Sequence, residues 1–214
     1  MNLFAVLFDF DGTLFFGTTD INYYVINKAL TEMGLPSITR EIANSTVGDK
    51  LIDVSKKLLH TENEVAARDF MRRLICYTPE AIETIAVIEP DCIHMLETLN
   101  RHAPLAICSN AEKEYLDLLL KKFNLEQYFQ FIWHRKNGFD KKMAVLELKS
   151  ILKAEKTIMV GDRAEDISAG KANQCITVAI QNDFGARDAL GADFNVRNHL
   201  EMESIIMQIL HEKR

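Results

Sequence analysis

The chain lacks a surplus of positive charge: 25 Lys and Arg stand against 31 Asp and Glu, a formal net charge of −6. A general nucleic-acid binder needs a basic surface, so no nucleic-acid partner is expected. No apolar run approaches the roughly 20 residues that cross a bilayer, and no membrane partner is expected either. The opening Met1-Asn2-Leu3-Phe4 has no basic segment and no cleavage signature. Export is therefore not expected, and a cytoplasmic location is. Cysteine is scarce. Cys76, Cys92, Cys108 and Cys175 are far apart and form no C-x-x-C pair. They read as small buried apolar residues of a reducing compartment. The six His are scattered, and none pairs with a Cys at ligand spacing, which argues against structural zinc. Internal repeats and low-complexity segments are absent as well. Nothing in the sequence sets the oligomeric state.

What is present is a repeated alternation. Leu3–Phe8 is a continuous hydrophobic run, as expected of a strand covered on both faces. Leu105–Cys108, Phe129–Trp133, Thr157–Val160 and Cys175–Ile180 share that character, and Phe194–Val196 reads as an edge strand. Apolar stripes at helical spacing lie between them: Leu116, Leu119, Leu120 and Phe123, then Val145, Leu148 and Leu152, then Ile205, Ile206, Ile209 and Leu210. Strands alternating with helices predict an α/β fold, a Rossmann-like parallel sheet flanked by helices. One block breaks the pattern. From 18 to 88, about seventy residues carry helical signals only, too long for a loop. Ile21 through Met33, Leu51 through Leu58, Val65 through Leu74 and Pro79 through Ile85 each read as a helix. The expected organisation is a core of residues 1–17 and 89–214 with a helical insertion at 18–88.

In a wound parallel sheet, function gathers beyond the carboxyl ends of the strands. The first strand is followed by Asp9-Phe10-Asp11-Gly12-Thr13. In an unbroken strand Asp9 and Asp11 would share one side. Two carboxylates about 4 Å apart repel by roughly 4 kcal/mol at an effective dielectric of about 20. Either a hard cation such as Mg²⁺ sits between them, or the chain bends at Asp11-Gly12 and they diverge. The second strand is followed by Ser109-Asn110, and the fourth by Gly161-Asp162 with Asp166 four residues on. Lys141 and Lys142 open the helix before the fourth strand. Singly, each has an ordinary reading. Ser109 and Asp166 suit helix caps, and the lysines suit a solvated face.

Together they fit phosphoryl transfer, which needs a nucleophile, positive charge on the phosphoryl oxygens and an acid for the leaving oxygen. Asp9 is the candidate nucleophile and Asp11 the candidate acid and base. Mg²⁺ on Asp9 and Asp162 would neutralise the meeting of two anions. Ser109 and Lys141 complete the catalytic set, with Gly12, Thr13 and Asn110 as candidate contacts to the phosphoryl oxygens.

These segments, in this order, resemble the haloacid dehalogenase superfamily in its capped phosphatase branch. D-x-D-G-T spans Asp9 to Thr13, a strand-end hydroxyl is Ser109, a lysine opens a helix, and G-D-x-x-x-D spans Gly161 to Asp166. The resemblance implies an aspartyl phosphate on Asp9 and Mg²⁺ held by Asp9, the backbone carbonyl of Asp11 and Asp162, with Asp166 supporting. It also implies that the insertion is a cap that sets specificity. A carboxylate at Asp11 separates phosphatases from the dehalogenases, whose leaving group needs no proton. The nearest likeness is to phosphoglycolate phosphatase-like members acting on a small phosphorylated metabolite. The lysine is Lys141, Lys142 or Lys136, with Lys141 preferred because the stripe from Val145 starts four residues on. The chain departs from the family where Phe15-Phe16-Gly17 replaces the usual continuation of the first motif. Phe15 and Phe16 either line the entrance or pack the hinge, and Thr46–Lys50 is a candidate cap loop. Within the superfamily, a sugar phosphomutase and a nucleotide pyrophosphatase remain alternatives. Outside it, the rival is a phosphoacceptor signalling module.

Overall fold

The computed structural model describes residues 4–135, 140–181 and 191–211. Among these, six strands form one sheet: β1 (Phe4–Phe8), β2 (Leu105–Cys108), β3 (Phe129–Trp133), β4 (Lys156–Gly161), β5 (Ile176–Ile180) and β6 (Phe194–Val196). The order is β3-β2-β1-β4-β5-β6, and every neighbouring pair is parallel. This is the α/β architecture expected from the alternation. β6 lies at the edge, where a three-residue strand exposes little unpaired backbone.

Both faces of the sheet are covered. Ala5 and Leu7 of β1, Ala106 and Cys108 of β2 and Met159 of β4 pack with Trp133 and with Ala144, Val145 and Leu148 of the helix before β4. The alternating residues Phe4, Val6 and Phe8 are buried too, because successive side chains leave a strand on opposite sides. Hence the continuous apolar runs.

Nine α-helices are described. The first four are α1 (Thr18–Glu32), α2 (Arg40–Asn44), α3 (Leu51–Leu59) and α4 (Glu64–Ile85). The other five are α5 (Pro90–Asn100), α6 (Lys113–Lys122), α7 (Lys141–Leu152), α8 (Ala164–Ala172) and α9 (His199–His211). The chain divides into two compact units, Met1–Phe16 with Ile88–Arg214, and Gly17–Val87. The second unit contains α1 to α4 and no strand among the described residues.

Two expectations are corrected here. The segments Val65–Leu74 and Pro79–Ile85 are a single helix, α4, with Pro79 inside it. Its buried stripe of Ala67, Phe70, Leu74, Ala81 and Ile82 runs past the proline without a change of phase. Pro79 and Ile75, whose carbonyl loses its helical partner, are both exposed, so water can solvate that carbonyl. Cys76 is also exposed, unlike Cys92, Cys108 and Cys175, because it falls off that stripe. The short α2, capped by Thr39 accepting from the Ile42 N–H, was not anticipated.

Candidate active site

The register of β1 fixes the position of the first carboxylate. Phe8 lies beside Ile107 of β2 and Val160 of β4. Asp9 extends the ladder by one bond, its N–H donating to the Val160 carbonyl at 2.8 Å. Asp9 therefore stands next to the end of β4, where Gly161-Asp162 leaves the sheet. The strand order reverses at β1 and β4, the point at which wound sheets open a crevice.

β1 stops at Phe8, and the chain turns. Gly12 adopts φ +82°, a left-handed conformation costly for other residues. The N–H groups of Thr13, Leu14 and Phe15 converge on the Phe10 carbonyl, and that of Gly12 donates to the Phe15 carbonyl. The amides of Gly12 and Thr13 thus close the turn. Asp11 is half-buried, and the backbone bends at Asp11-Gly12. A carboxylate oxygen from each of Asp9, Asp162 and Asp166 lies within 4.8 Å of the other two, and Asp11 is not in that group.

Lys141 faces these carboxylates. Its Nζ is 2.5 Å from Asp9 Oδ1 and 2.5 Å from Asp166 Oδ1. It opens α7, just after Asp140, whose carboxylate accepts from the Met143 N–H as the helix cap. A buried cation at a helix N-terminus opposes the helix dipole, so the carboxylates must hold it there. Lys142 is exposed, and Lys136 lies outside the described residues. Asp166 is a cap as well as an ion-pair partner, its Oδ2 accepting from the N–H groups of Asp162 and Arg163. Gly161 permits this close approach.

Burial works against Lys141's charge, but Asp166 and Asp9 outweigh it and hold the ammonium well above its ordinary pKa. Burial pushes the Asp9 carboxyl well above the usual carboxylate range; Lys141 opposes this, while Asp166 and Asp162 add to it. The same burial and neighbouring carboxylates that resist charge on Asp9 would be offset by a hard divalent cation, and the buried all-oxygen donor set of Asp9, Asp162 and Asp166 fits Mg²⁺.

The second loop is tied in from β2 and β3. The Ser109 N–H donates to the Trp133 carbonyl, and its buried Oγ accepts from the Ala111 N–H at 3.0 Å, a local turn rather than the helix cap its position suggested, since α6 begins at Lys113 behind Glu112. Asn110 donates to Glu165 through its side chain and accepts from Arg135 Nε through its carbonyl. The Thr13 side chain is fully buried, and its Oγ1 has no hydrogen-bond partner among the described residues.

Two contacts carried no signal in the sequence. The Tyr115 hydroxyl, from α6, donates to Asp11 Oδ1 at 3.0 Å. His199, the first residue of α9, is fully buried, with its ring nitrogens 2.9 Å from the Thr13 carbonyl and 2.9 Å from Glu89. Its ring stacks on Phe16. Phe15 is wholly buried and stacks on Phe10, with Phe123 beyond. Packing, rather than an entrance lining, is what the structure gives it. In the helical unit Thr46 is buried, donating to the Ala43 carbonyl and accepting from Asn22.

Residues 6–180 match the family model described as haloacid dehalogenase-like hydrolase. The chain belongs to that family of hydrolases. Among curated relatives, the phosphoglycolate phosphatase of Chromobacterium violaceum is 24% identical over 216 residues, covering 94% of this chain and 96% of that one. The phosphoglycolate phosphatase of Aquifex aeolicus is 29% identical over 178 residues, covering 78% and 79%. Among solved structures, a protein from Haemophilus somnus described as a predicted phosphoglycolate phosphatase has the same fold. Its TM-score is 0.82 at 21% identity, with 96% of this chain and 99% of that one covered.

Proposed function

We propose that this hydrolase is a cytoplasmic Mg²⁺-dependent phosphatase that removes the phosphoryl group of a small metabolite through an aspartyl phosphate on Asp9. The observation that carries the reading is the buried group of Asp9, Asp162 and Asp166 around Lys141 at the ends of β1 and β4. A structural core gains nothing from such an excess of negative charge. The curated relatives named phosphoglycolate phosphatase make 2-phosphoglycolate the first substrate to test.

Asp9 is the nucleophile. Its Oδ1 is fixed by Lys141, which presents the carboxylate along one direction, the pre-alignment that in-line attack requires. Asp9, Asp162 and the backbone carbonyl of Asp11, with Asp166 supporting, would hold Mg²⁺, which when bound supplies the positive charge that lets a carboxylate approach a phosphoryl dianion. Lys141 adds a second positive charge at the same place, and the Ser109 hydroxyl, its oxygen anchored by the Ala111 amide, donates to a phosphoryl oxygen. Asp11, outside the carboxylate group, protonates the departing alkoxide and then takes a proton from the water that cleaves the acyl phosphate. The helical unit is the cap that excludes water and selects the organic part of the substrate.

Asp9→Asn should abolish hydrolysis of p-nitrophenyl phosphate while circular dichroism stays that of the parent. Chelation should abolish it in the parent, and added Mg²⁺ should restore it. Full turnover by Asp9→Asn, or activity indifferent to chelation, would refute the assignment. A panel of phosphorylated metabolites led by 2-phosphoglycolate then ranks substrates by kcat/KM.

A further inference from the structure

We propose that Tyr115 is a positioning residue that orients Asp11 as the proton donor to the leaving oxygen. The proposal rests on the phosphatase reading above and deepens it.

The two catalytic aspartates are held very differently. Asp9 continues a central strand and is fixed by Lys141. Asp11 sits in a turn, joined to Phe15 by one isolated bridge and followed by a glycine in the left-handed region. Its carboxyl lies outside the group of Asp9, Asp162 and Asp166, and Lys141 makes its ion pairs with Asp9 and Asp166. Those contacts act on Asp9. The Tyr115 hydroxyl reaches Asp11 from another element, at 3.0 Å on Oδ1. The tyrosine is well placed for such a task. Leu116, Leu119 and Leu120 bury the adjoining face of α6, so the ring is delivered from a packed helix rather than a loop.

The contact has a defined chemical consequence. A phenol O–H donating to Oδ1 makes that oxygen an acceptor in both protonation states of Asp11, so in the neutral acid the proton is carried by Oδ2. When the bond from phosphorus to the leaving oxygen breaks, its electron pair stays on that oxygen, and the Oδ2 proton passes to it. Asp11 is then a carboxylate, and the Tyr115 hydrogen bond becomes charge-assisted. In the second half-reaction the attacking water gives its proton to Oδ2 as its oxygen bonds to phosphorus, the bond from phosphorus to the Asp9 oxygen breaks with its electron pair returning to the Asp9 carboxylate, and the acid is restored. Tyr115 keeps its own proton throughout. Its role is to keep Oδ2 aimed at the two oxygens that exchange protons, a matter of orientation in which errors of an ångström are expensive.

The test uses leaving groups. Phenol is as weak an acid as a tyrosine side chain, with a pKa of about 10, and its departure needs a proton. p-Nitrophenol is far more acidic and leaves without one. The two phosphate esters are otherwise alike, and kcat/KM reports the step in which the leaving group departs. Tyr115→Phe retains the ring and its packing. It should lower kcat/KM on phenyl phosphate about tenfold while changing it less than about twofold on p-nitrophenyl phosphate. Asp11→Asn, measured in parallel, should show the same split more widely. Equal losses on both esters in Tyr115→Phe, or none on either, beside a clear split in Asp11→Asn, would overturn the positioning role. A missing split in Asp11→Asn would instead overturn the acid role of Asp11 itself.

Discussion

A Cβ added at Gly161 would stand 2.3 Å from the Cβ, Cγ and Oδ2 atoms of Asp166, the side chain that caps α8 and pairs with Lys141. Nothing flexible is available to yield. Gly161→Ala must displace Asp166, and with it two backbone hydrogen bonds and one arm of the buried ion pair. The expected cost is about 2–4 kcal/mol in urea unfolding, with weaker Mg²⁺ binding by titration calorimetry. A variant as stable as the parent would show that β4 can shift without loss. The glycine is visible in the sequence as part of a strand-end Gly-Asp, but its reason is not, since the atom it avoids belongs to a residue five positions on. Legibility at this scale follows chain distance. Asp9, Ser109 and Asp162 stand at ends of strands that hydrophobic periodicity already delimits. Tyr115 and Asp11 are 104 positions apart, and their meeting depends on the phase of a helix about its axis, which an apolar stripe fixes only to within a residue or so. His199 was invisible for the same reason, since a single His at a helix start says nothing about a carbonyl 186 positions away.

Elements were more legible than residues wherever a strand was buried on both faces. β2 occupies the span that its apolar run marks, because every residue in it is buried and both sheet faces demand apolar residues there; the edge strand β3 also lies where its run does, although Gln130 is exposed and Phe131 and Ile132 are half-buried. The helical block was less so. Proline is a strong local signal for a helix end, yet in α4 it is overridden by a buried stripe that continues through it, on a face where Ile75 and Pro79 are exposed and the freed carbonyl can be solvated. The loop end of β5 shows a different kind of element-level tie. Asp193 Oδ2 accepts from the Thr177 N–H at 2.8 Å and from its Oγ1 at 2.7 Å, while the Asp193 N–H donates back to Thr177 Oγ1. Partial burial opposes the charge on Asp193, but the hydrogen bonds from Thr177 outweigh it and hold the carboxyl below its ordinary range. A carboxyl whose pKa is lower in the folded chain binds fewer protons there than in the unfolded chain. Its stabilisation is complete above the ordinary carboxylate pKa and is lost as the pH falls through the folded value. Asp193→Asn should therefore be less stable than the parent at neutral pH. The gap should close as both are titrated through the carboxylate range toward acid, as read by urea midpoints at each pH. A gap that stays constant with pH would mean that the ionised carboxylate contributes nothing beyond its shape.

For the whole molecule, the question is what holds a buried excess of negative charge in place when two compact units share one chain. The carboxylate group belongs entirely to the unit built on the sheet, Met1–Phe16 with Ile88–Arg214. A cation bound there stabilises that unit only, because the unfolded chain disperses the three carboxylates and binds the cation weakly. The single tryptophan, Trp133, is buried in the same unit at the end of β3, so its fluorescence reports that unit's unfolding. Mg²⁺ at about a hundred times its dissociation constant stabilises a folded site by roughly 2.7 kcal/mol, which for a unit of this size raises the Trp133 transition by about 5–10 °C. The same salt at matched ionic strength with a monovalent cation should leave it in place, since screening acts weakly on buried charge. Asp162→Asn removes one of the three carboxylates while keeping its shape, and should lose most of the Mg²⁺-dependent rise. It should also be more stable than the parent in chelator, because the charge deficit that the cation relieves is smaller by one. A Trp133 transition that ignores Mg²⁺ in the parent would mean that Lys141 alone balances the cluster, and a rise of equal size in Asp162→Asn would place the cation elsewhere.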